Sequence, residues 1–213
     1  MRCYSSRCSR ARRAQPAGAD CGVDEATLSG GELTIAAGTT TVGNRVWGTG
    51  VCTNSTECRD NITSVVLPAG YLYIGDNLFY QCFSLVTITF GGSEKTIGDY
   101  AIASCTALET LAIPNSVTYL GWYAVAFGWG LLASLSIGVS VTRLDYGAFY
   151  GQSALTTVTI PDSMTSLGDD AFRGCTALVS LTMGDSVTSI ATNAFNGCNL
   201  HICYTTANGV DGS

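Results

Sequence analysis

Residues 167–189 read LGDDAFRGCTALVSLTMGDSVTS, and the same pattern recurs along most of the chain. Its first apolar residue returns in steps of 23, 23, 24, 23 and 23 residues, at Ile74, Ile97, Leu120, Leu144, Leu167 and Ile190. A fixed period of this length is typical of a solenoid, in which neighbouring coils bury a shared core. The sequence therefore predicts a stack of coils, which we number 1 to 6 from these six residues.

Every coil carries apolar residues at the same spacing. Five residues after the first comes a mostly aromatic position, occupied by Phe79, Ile102, Val125, Phe149, Phe172 and Phe195. Eight residues after the first, four coils carry Cys82, Cys105, Cys175 and Cys198. Eleven residues after it, the pattern places Leu85, Leu108, Leu131, Leu155 and Leu178 in the core. Coil 3 departs from the pattern, because Gly128 stands at the cysteine position and one extra residue precedes Leu135.

A short alternating segment follows in each coil, such as TTVTI at residues 156–160. Alternation of hydroxyl and apolar residues predicts a short, half-buried strand. Pro68, Pro114 and Pro161 stand directly after this segment, where the missing N–H helps to end the strand. The pattern resembles the BspA-like subclass of leucine-rich repeats, with a consensus of roughly L-x-x-[IV]-x-[IL]-P-x-x-[VL]-x-x-[IL]-G-x-x-A-F-x-x-C-x-x-L. The resemblance covers residues 62–204. It implies a leucine-rich-repeat solenoid with short parallel β-strands stacked on one face and loops with short helical or 3-10 turns on the other.

The chain divides into four predicted segments. Residues 1–20 are an Arg-rich tail, interpreted as disordered, as a targeting segment or as a truncated start. Residues 21–61 are predicted to cap the first coil, with 31–38 and 39–42 alternating like a pair of strands. Residues 62–204 are the repeats, and residues 205–213 form a C-terminal tail.

Charge and chemistry exclude several functional classes. Five of the ten basic residues lie in the first 13 residues, so residues 14–213 hold five basic groups against sixteen acidic ones, a balance of −11. Phosphate binding needs a basic footprint, so nucleic acid is not expected as a partner. His201 is the only histidine and lies in the degenerate last coil. No catalytic, metal-binding or cofactor-binding constellation is expected, and Asp169-Asp170 is interpreted as a solvated corner.

Coil 3 contains the most informative deviation. Aromatic residues replace small polar ones there, at positions expected to face solvent: Trp122, Tyr123, Phe127 and Trp129. Neighbouring coils add Tyr100, Tyr146 and Tyr150 on the same side. Exposed, clustered aromatic residues predict an interaction site for a protein or glycan, or a permanent contact within a larger assembly. The alternative is that these rings fill the space left by the missing cysteine.

A second candidate surface is the outer face of the predicted strands. Its hydroxyl residues form a regular grid that favours hydrogen bonding to a protein or glycan: Thr87, Thr89, Thr110, Thr157, Thr159, Ser180 and Thr182. The same grid allows a third hypothesis, ice binding.

Residues 119–141 lack charge, and hydropathy alone would suggest a membrane helix. The repeat frame predicts a solenoid coil instead, with Leu120, Leu131 and Leu135 in core positions. No transmembrane helix is therefore expected.

The four repeat cysteines are predicted to be reduced and buried, unless adjacent ones pair. Asn54 and Asn61 head N-x-Thr/Ser motifs, which are glycosylation acceptors in a secreted chain.

These features together predict a non-catalytic recognition module, extracellular or on a cell surface, that binds protein or glycan in adhesion or interaction. The resemblance to BspA-like proteins implies the same role.

Overall fold

The computed structural model describes residues 26–35, 41–42 and 60–200, which form a stack of short strands and turns. Six strands of three residues line one side: β4 Ser64–Val66, β6 Thr87–Thr89, β8 Thr110–Ala112, β10 Ser134–Ser136, β12 Thr157–Thr159 and β14 Ser180–Thr182. Seven strands of two residues line a second side: β3 Thr41–Val42, β5 Tyr73–Ile74, β7 Thr96–Ile97, β9 Tyr119–Leu120, β11 Arg143–Leu144, β13 Ser166–Leu167 and β15 Ser189–Ile190. We call the first side the strand face. The second forms one continuous parallel sheet.

Turns form the third side of each coil. We define the turn face as residues 75–82, 98–105, 121–129, 145–152, 168–175 and 191–198. The predicted leucine-rich-repeat solenoid with stacked parallel strands is thus confirmed, and the side opposite the strand face consists of turns.

The core runs through the centre of the stack, as the repeat positions predict. The first residue of each coil is buried from coil 1 to coil 5, and aromatic rings stack along the axis. Ring centroids of Phe149 and Phe172 lie 5.3 Å apart and nearly parallel, and those of Phe172 and Phe195 lie 5.5 Å apart. The placement of Leu131 in the core is wrong, because 55% of Leu131 is exposed while Leu132 is buried. The extra residue of coil 3 therefore lies before Leu132.

Proline and glycine alternate at the second position after each three-residue strand. The six positions are Pro68, Gly91, Pro114, Gly138, Pro161 and Gly184. A Cβ on each of the three glycines would collide with the carbonyl oxygen of the proline in the preceding coil. Glycine therefore lets each second coil approach closely.

The coils of the strand face come in pairs for this reason. β4 is hydrogen-bonded to β6, β8 to β10, and β12 to β14, whereas β6 and β8, like β10 and β12, belong to separate sheets. Within each pair, the residue before the proline donates its N–H to the next coil, for example Ile113 N to Ser136 O at 2.9 Å. The hydrogen-bonded unit of the strand face from β4 to β14 therefore comprises two coils, although the sequence repeats once in every coil.

The N-terminal strands pair differently from the prediction. β1 Ala26–Ser29 and β2 Glu32–Ile35 form an antiparallel hairpin around Gly30 and Gly31, both with positive φ. Residues 41–42 form β3, which pairs with β5 in the second sheet instead of with β2. β2 also pairs in parallel with β4, so the strand ladder begins before residue 62. The tails at 1–20 and 205–213 lie outside the described residues.

Residues 119–141 form one solenoid coil with strands β9 and β10. In the described part of the chain, no helix has the length and apolar character needed to cross a bilayer.

None of the four repeat cysteines forms a disulfide within the described residues, and Cys105, Cys175 and Cys198 donate their thiols to backbone oxygens of the preceding coil. Cys105 Sγ lies 3.2 Å from Phe79 O, and Cys198 Sγ lies 3.1 Å from Phe172 O. Hydrogen bonding to Cys198 and burial raise the pKa of the Cys175 thiol. These thiols therefore serve as hydrogen-bond donors that link neighbouring coils.

Candidate partner-binding surface

The backbone of the turn face alternates between right-handed and left-handed conformations. Left-handed residues recur three and seven positions after the start of a coil: Asn77, Gln81, Tyr100, Ser104, Tyr123, Phe127, Gly147, Gly151, Asp170, Gly174 and Gly197. Alternation turns every second N–H group toward the next coil, where a carbonyl oxygen accepts it, while the N–H groups between them donate within their own coil. Val125 N donates to Ala148 O at 2.9 Å, for example, and Phe149 N to Ala171 O at 2.8 Å. Main-chain hydrogen bonds therefore link the turn face of each coil to that of the next.

Three aromatic residues occupy left-handed positions that suit glycine or asparagine. Tyr100 has φ of 54°, Tyr123 of 51° and Phe127 of 59°, whereas coil 4 has Gly147 and Gly151 at the corresponding positions. A bulky residue with positive φ is uncommon and carries a backbone strain of about 1 kcal/mol or more. Such strain persists where the surrounding contacts outweigh it, and it marks candidate functional positions.

The turn-face aromatic residues form one contiguous cluster across coils 1 to 4. Ring centroids lie 5.2 Å apart for Tyr100 and Tyr123, 5.1 Å for Tyr123 and Phe127, and 5.3 Å for Tyr123 and Tyr146. Further contacts extend the cluster to Tyr80, Tyr150 and Trp129. We call these seven residues together with Trp122 the aromatic surface.

Exposure within the aromatic surface differs between the indoles and the inner rings. Trp129 is 65% exposed, Trp122 56% and Tyr146 40%, whereas Tyr123 and Phe127 are half-buried beneath them. Gly147 of coil 4 makes room for this layer, because a Cβ there would collide with the Tyr123 ring. A Cβ on Gly151 would make only an ordinary contact with the Trp129 indole, at 3.6 Å. The exposed Trp129 indole therefore borders a packed layer of phenyl and phenol rings.

Carboxylates hold the rim of the aromatic surface in place. Tyr146 donates its hydroxyl to Asp170 Oδ2 at 2.9 Å, and Asp170 Oδ1 accepts from Arg173 at 3.3 Å. The hydrogen bond to Asp170 raises the pKa of Tyr146. Asp170 is only 4% exposed, so the interpretation of Asp169-Asp170 as a solvated corner is wrong for Asp170. Asp170 is a bridge between coils 4 and 5.

A similar group lies beside it, on the second sheet. Tyr119 donates its hydroxyl to Asp145 Oδ2 at 3.0 Å, and Arg143 pairs with Asp145 Oδ1 at 2.6 Å. Burial and the hydrogen bond to Asp145 raise the pKa of Tyr119 to about 12. Two tyrosines on successive coils are thus fixed by aspartates from the coil that follows each.

The space left by the missing cysteine of coil 3 is filled by a glutamine, not by the aromatic rings. Gln152 stands at the cysteine position of coil 4 and donates Nε2 to Val125 O, the bond that the thiols make elsewhere. A Cβ on Gly128 would overlap the Gln152 amide. Gly128 and Gln152 are therefore a complementary pair, and the aromatic residues of coil 3 remain on the surface.

A family model described as a BspA type leucine-rich repeat region matches residues 56–156 and 142–210, in six copies. The chain belongs to the BspA type leucine-rich repeat family. This identity confirms the resemblance found in the sequence. The family model describes a repeat region, and leucine-rich repeat proteins of this family are generally not enzymes.

Solved structures similar to this BspA-type chain are bacterial leucine-rich repeat proteins. A leucine-rich repeat protein from Bacteroides ovatus has a TM-score of 0.56 at 20% identity, and the match covers 84% of this chain and 57% of the B. ovatus chain. A leucine rich cell surface protein from Faecalibacterium prausnitzii has a TM-score of 0.52 at 22% identity, and the match covers 84% of this chain and 62% of that chain. The T. pallidum Leucine Rich Repeat protein has a TM-score of 0.61 at 21% identity, and the match covers 78% of this chain and 82% of that chain.

The BspA-type chain therefore spans less than two thirds of the length of the first two structures. Comparison with curated proteins gives no match.

The strand face of this BspA-type stack presents its hydroxyl grid to solvent. All seven predicted residues are exposed there: Thr87, Thr89, Thr110, Thr157, Thr159, Ser180 and Thr182. The pairing of coils interrupts the grid between β6 and β8 and again between β10 and β12. A shallow groove of about 560 Å³ opens at the ends of β10, β12 and β14. The strand face is therefore less regular than its sequence suggests.

Tyr80 joins the aromatic surface although the sequence analysis did not include it. Its ring meets Tyr100 at a centroid distance of 6.2 Å. The available signal was its position, because Tyr80 and Tyr150 both stand six residues after the start of a coil.

Among the predicted glycosylation acceptors, Asn61 is exposed, and Asn54 lies outside the described residues.

Proposed function

We propose that this chain is a non-catalytic recognition module that binds a protein or a glycan through the aromatic surface, in adhesion or interaction at a cell surface. The observation that carries the proposal is the aromatic surface, in which the exposed Trp129 indole contacts a packed layer of rings and the exposed Trp122 directly precedes Tyr123 of that layer in the chain. Tryptophan and tyrosine dominate binding energy in protein interfaces. A cell-surface location draws support from the structural relative of F. prausnitzii, which is described as a leucine rich cell surface protein.

Rigidity favours recognition at this surface. Inter-coil hydrogen bonds from Tyr123 N to Tyr146 O at 3.0 Å and from Phe127 N to Tyr150 O at 2.7 Å fix the backbone under the inner rings. Because the side chains are already packed, binding would cost little additional ordering entropy. The strand face is the weaker candidate, since its grid is interrupted twice.

Binding of the labelled full chain to a panel of cell surfaces, proteins and glycans tests the proposal. We expect Trp122→Ala/Trp129→Ala to weaken binding by at least about tenfold, because each exposed indole is a candidate hot spot. Thr157→Lys/Thr159→Lys on the strand face serves as the matched control and should bind like the parent. Both variants should keep the melting temperature of the parent, since all four side chains are exposed. Loss of binding in the threonine variant alone would refute the proposed location.

The same exposed rings also support a second function, that of a structural subunit. A permanent contact between chains would cover the indoles, whose exposure of 56% and 65% is high for tryptophan. Size-exclusion chromatography at low concentration separates the two roles. A stable oligomer that the Trp122→Ala/Trp129→Ala variant dissolves indicates a subunit, and a monomer indicates a free recognition module.

A further inference from the structure

The turn face is acidic around the aromatic surface. Its six segments contain five carboxylates and one guanidinium, a balance of −4: Asp76, Asp99, Asp145, Asp169, Asp170 and Arg173. Arg173 is engaged by Asp170, and Arg143 on the adjoining sheet is engaged by Asp145. Asp99 and Asp169 form no salt bridge within residues 60–200. The negative charge of this face is therefore only partly neutralised.

Carboxylates lie next to residues of the aromatic surface. Asp99 Oδ1 accepts the backbone N–H of Trp122 at 2.8 Å, which places this carboxylate beside the backbone of the residue that carries the first indole. Asp170 accepts the Tyr146 hydroxyl at 2.9 Å. A phenol that donates to a carboxylate has a more electron-rich ring. Both effects increase the attraction of the ring faces for cations, which the aromatic quadrupole already favours.

We infer that the aromatic surface binds an arginine-rich segment of a partner polypeptide, a conclusion that rests on the proposed function and narrows it. Planar guanidinium groups stack on the indole and phenol faces while the neighbouring aspartates supply the opposite charge. A positively charged partner is complementary to the negative charge of the turn face and to the net charge of −11 over residues 14–213.

The shape of the surface favours a polypeptide over a small cation. The rings extend from Tyr80 in coil 1 to Tyr150 in coil 4, which is about 14 Å at roughly 4.8 Å per coil. This length accommodates about four or five extended residues. The rings form an open layer rather than a cage around one point, so several cationic side chains can bind side by side.

Isothermal titration of the full chain with a short peptide of alternating Arg and Ser tests the inference. A peptide of equal length with Gln in place of Arg is the matched probe. We expect the Arg peptide to bind, the Gln peptide not to bind, and added salt to weaken the complex because exposed charges are screened. Trp122→Leu/Trp129→Leu retains apolar side chains but removes the π faces, and it should weaken binding roughly tenfold.

A matched pair of charge variants isolates the acidic contribution. Asp169→Asn removes one exposed charge beside the aromatic surface, and Asp185→Asn removes one exposed charge outside the turn face. We expect Asp169→Asn to weaken binding of the Arg peptide two- to fivefold, in the range of exposed ion pairs, and Asp185→Asn to have no effect.

Equal binding of the Arg and Gln peptides, or full binding by the Leu variant, would overturn the inference. If the Arg peptide does not bind while Trp122→Ala/Trp129→Ala still abolishes binding to cell surfaces, the arginine-rich partner is excluded and the recognition role stands. If neither experiment depends on the indoles, the proposed function itself fails.

Discussion

Replacing Gly128 with alanine should destabilise the stack by about 2–3 kcal/mol, and this cost should disappear when Gln152 is also replaced by alanine. Gly128 is not among the residues with positive φ, so its backbone accepts alanine without strain. The cost comes from side-chain overlap, because the new Cβ meets the Gln152 amide.

The magnitude follows from what Gln152 loses when it moves. Overpacking in a buried site costs about 1–3 kcal/mol. Displacement also breaks the bond from Gln152 Nε2 to Val125 O, and leaving buried polar groups unpaired costs about 1–3 kcal/mol. Gln152 is 2% exposed, so the side chain has little space in which to rearrange. Its Oε1 has no hydrogen-bond partner among the described residues.

In the Gln152→Ala background the overlap is absent. Gly128→Ala is then expected to be neutral or to stabilise by up to about 1 kcal/mol, through the reduced entropy of the unfolded chain. The double-mutant cycle therefore yields a coupling energy of about 2–4 kcal/mol.

Urea unfolding followed by circular dichroism measures all four proteins, with the m-value as a check that the same surface is exposed. An equal destabilisation by Gly128→Ala in both backgrounds would show that the two residues do not compensate one another.

Three further changes test other parts of the stack. Gly147→Ala should cost about 1–2 kcal/mol in urea unfolding and alter the near-ultraviolet circular dichroism, because the residue has φ of 62° and borders the Tyr123 ring; an unchanged spectrum would contradict this. Glu94 is fully buried and accepts the N–H groups of Gly91 and Gly92 at 2.7 and 2.9 Å, so Glu94→Gln should cost about 1–3 kcal/mol and a neutral result would contradict this. Because the pKa of Tyr119 is raised to about 12, its hydrogen bond stabilises fully below pH 10 and is lost as pH rises toward 12. Tyr119→Phe should remove that part of the pH dependence, as measured by unfolding at alkaline pH and by tyrosinate absorbance.

The period of the sequence was sufficient to predict the solenoid. The repeat places an apolar residue at the same position of every coil. Phe149, Phe172 and Phe195 share one such position in successive coils, so their rings stack. The family assignment followed from the same repetition. The exact frame was less certain at the insertion, because Leu131 and Leu132 are equally apolar and only burial distinguishes them.

The candidate site was predicted in part. The aromatic substitutions at Trp122 and Trp129 were visible in the sequence, and their exposure followed from the repeat frame. Tyr80 was missed because a single tyrosine in a coil has no neighbour in sequence that marks it as part of a cluster. Whether the aromatic surface binds a partner stays a prediction.

The sequence by itself determined the repeat period, most core positions and the surplus of negative charge, because each depends on residue type or on its fixed spacing. Only the tertiary structure decided which coils pair and which residues compensate one another. Gly91 beside Pro68 and Gly128 beside Gln152 are contacts between coils, made by atoms about one repeat apart in the chain. Steric fit at such contacts depends on distances of a few tenths of an ångström, and no spacing of letters encodes them.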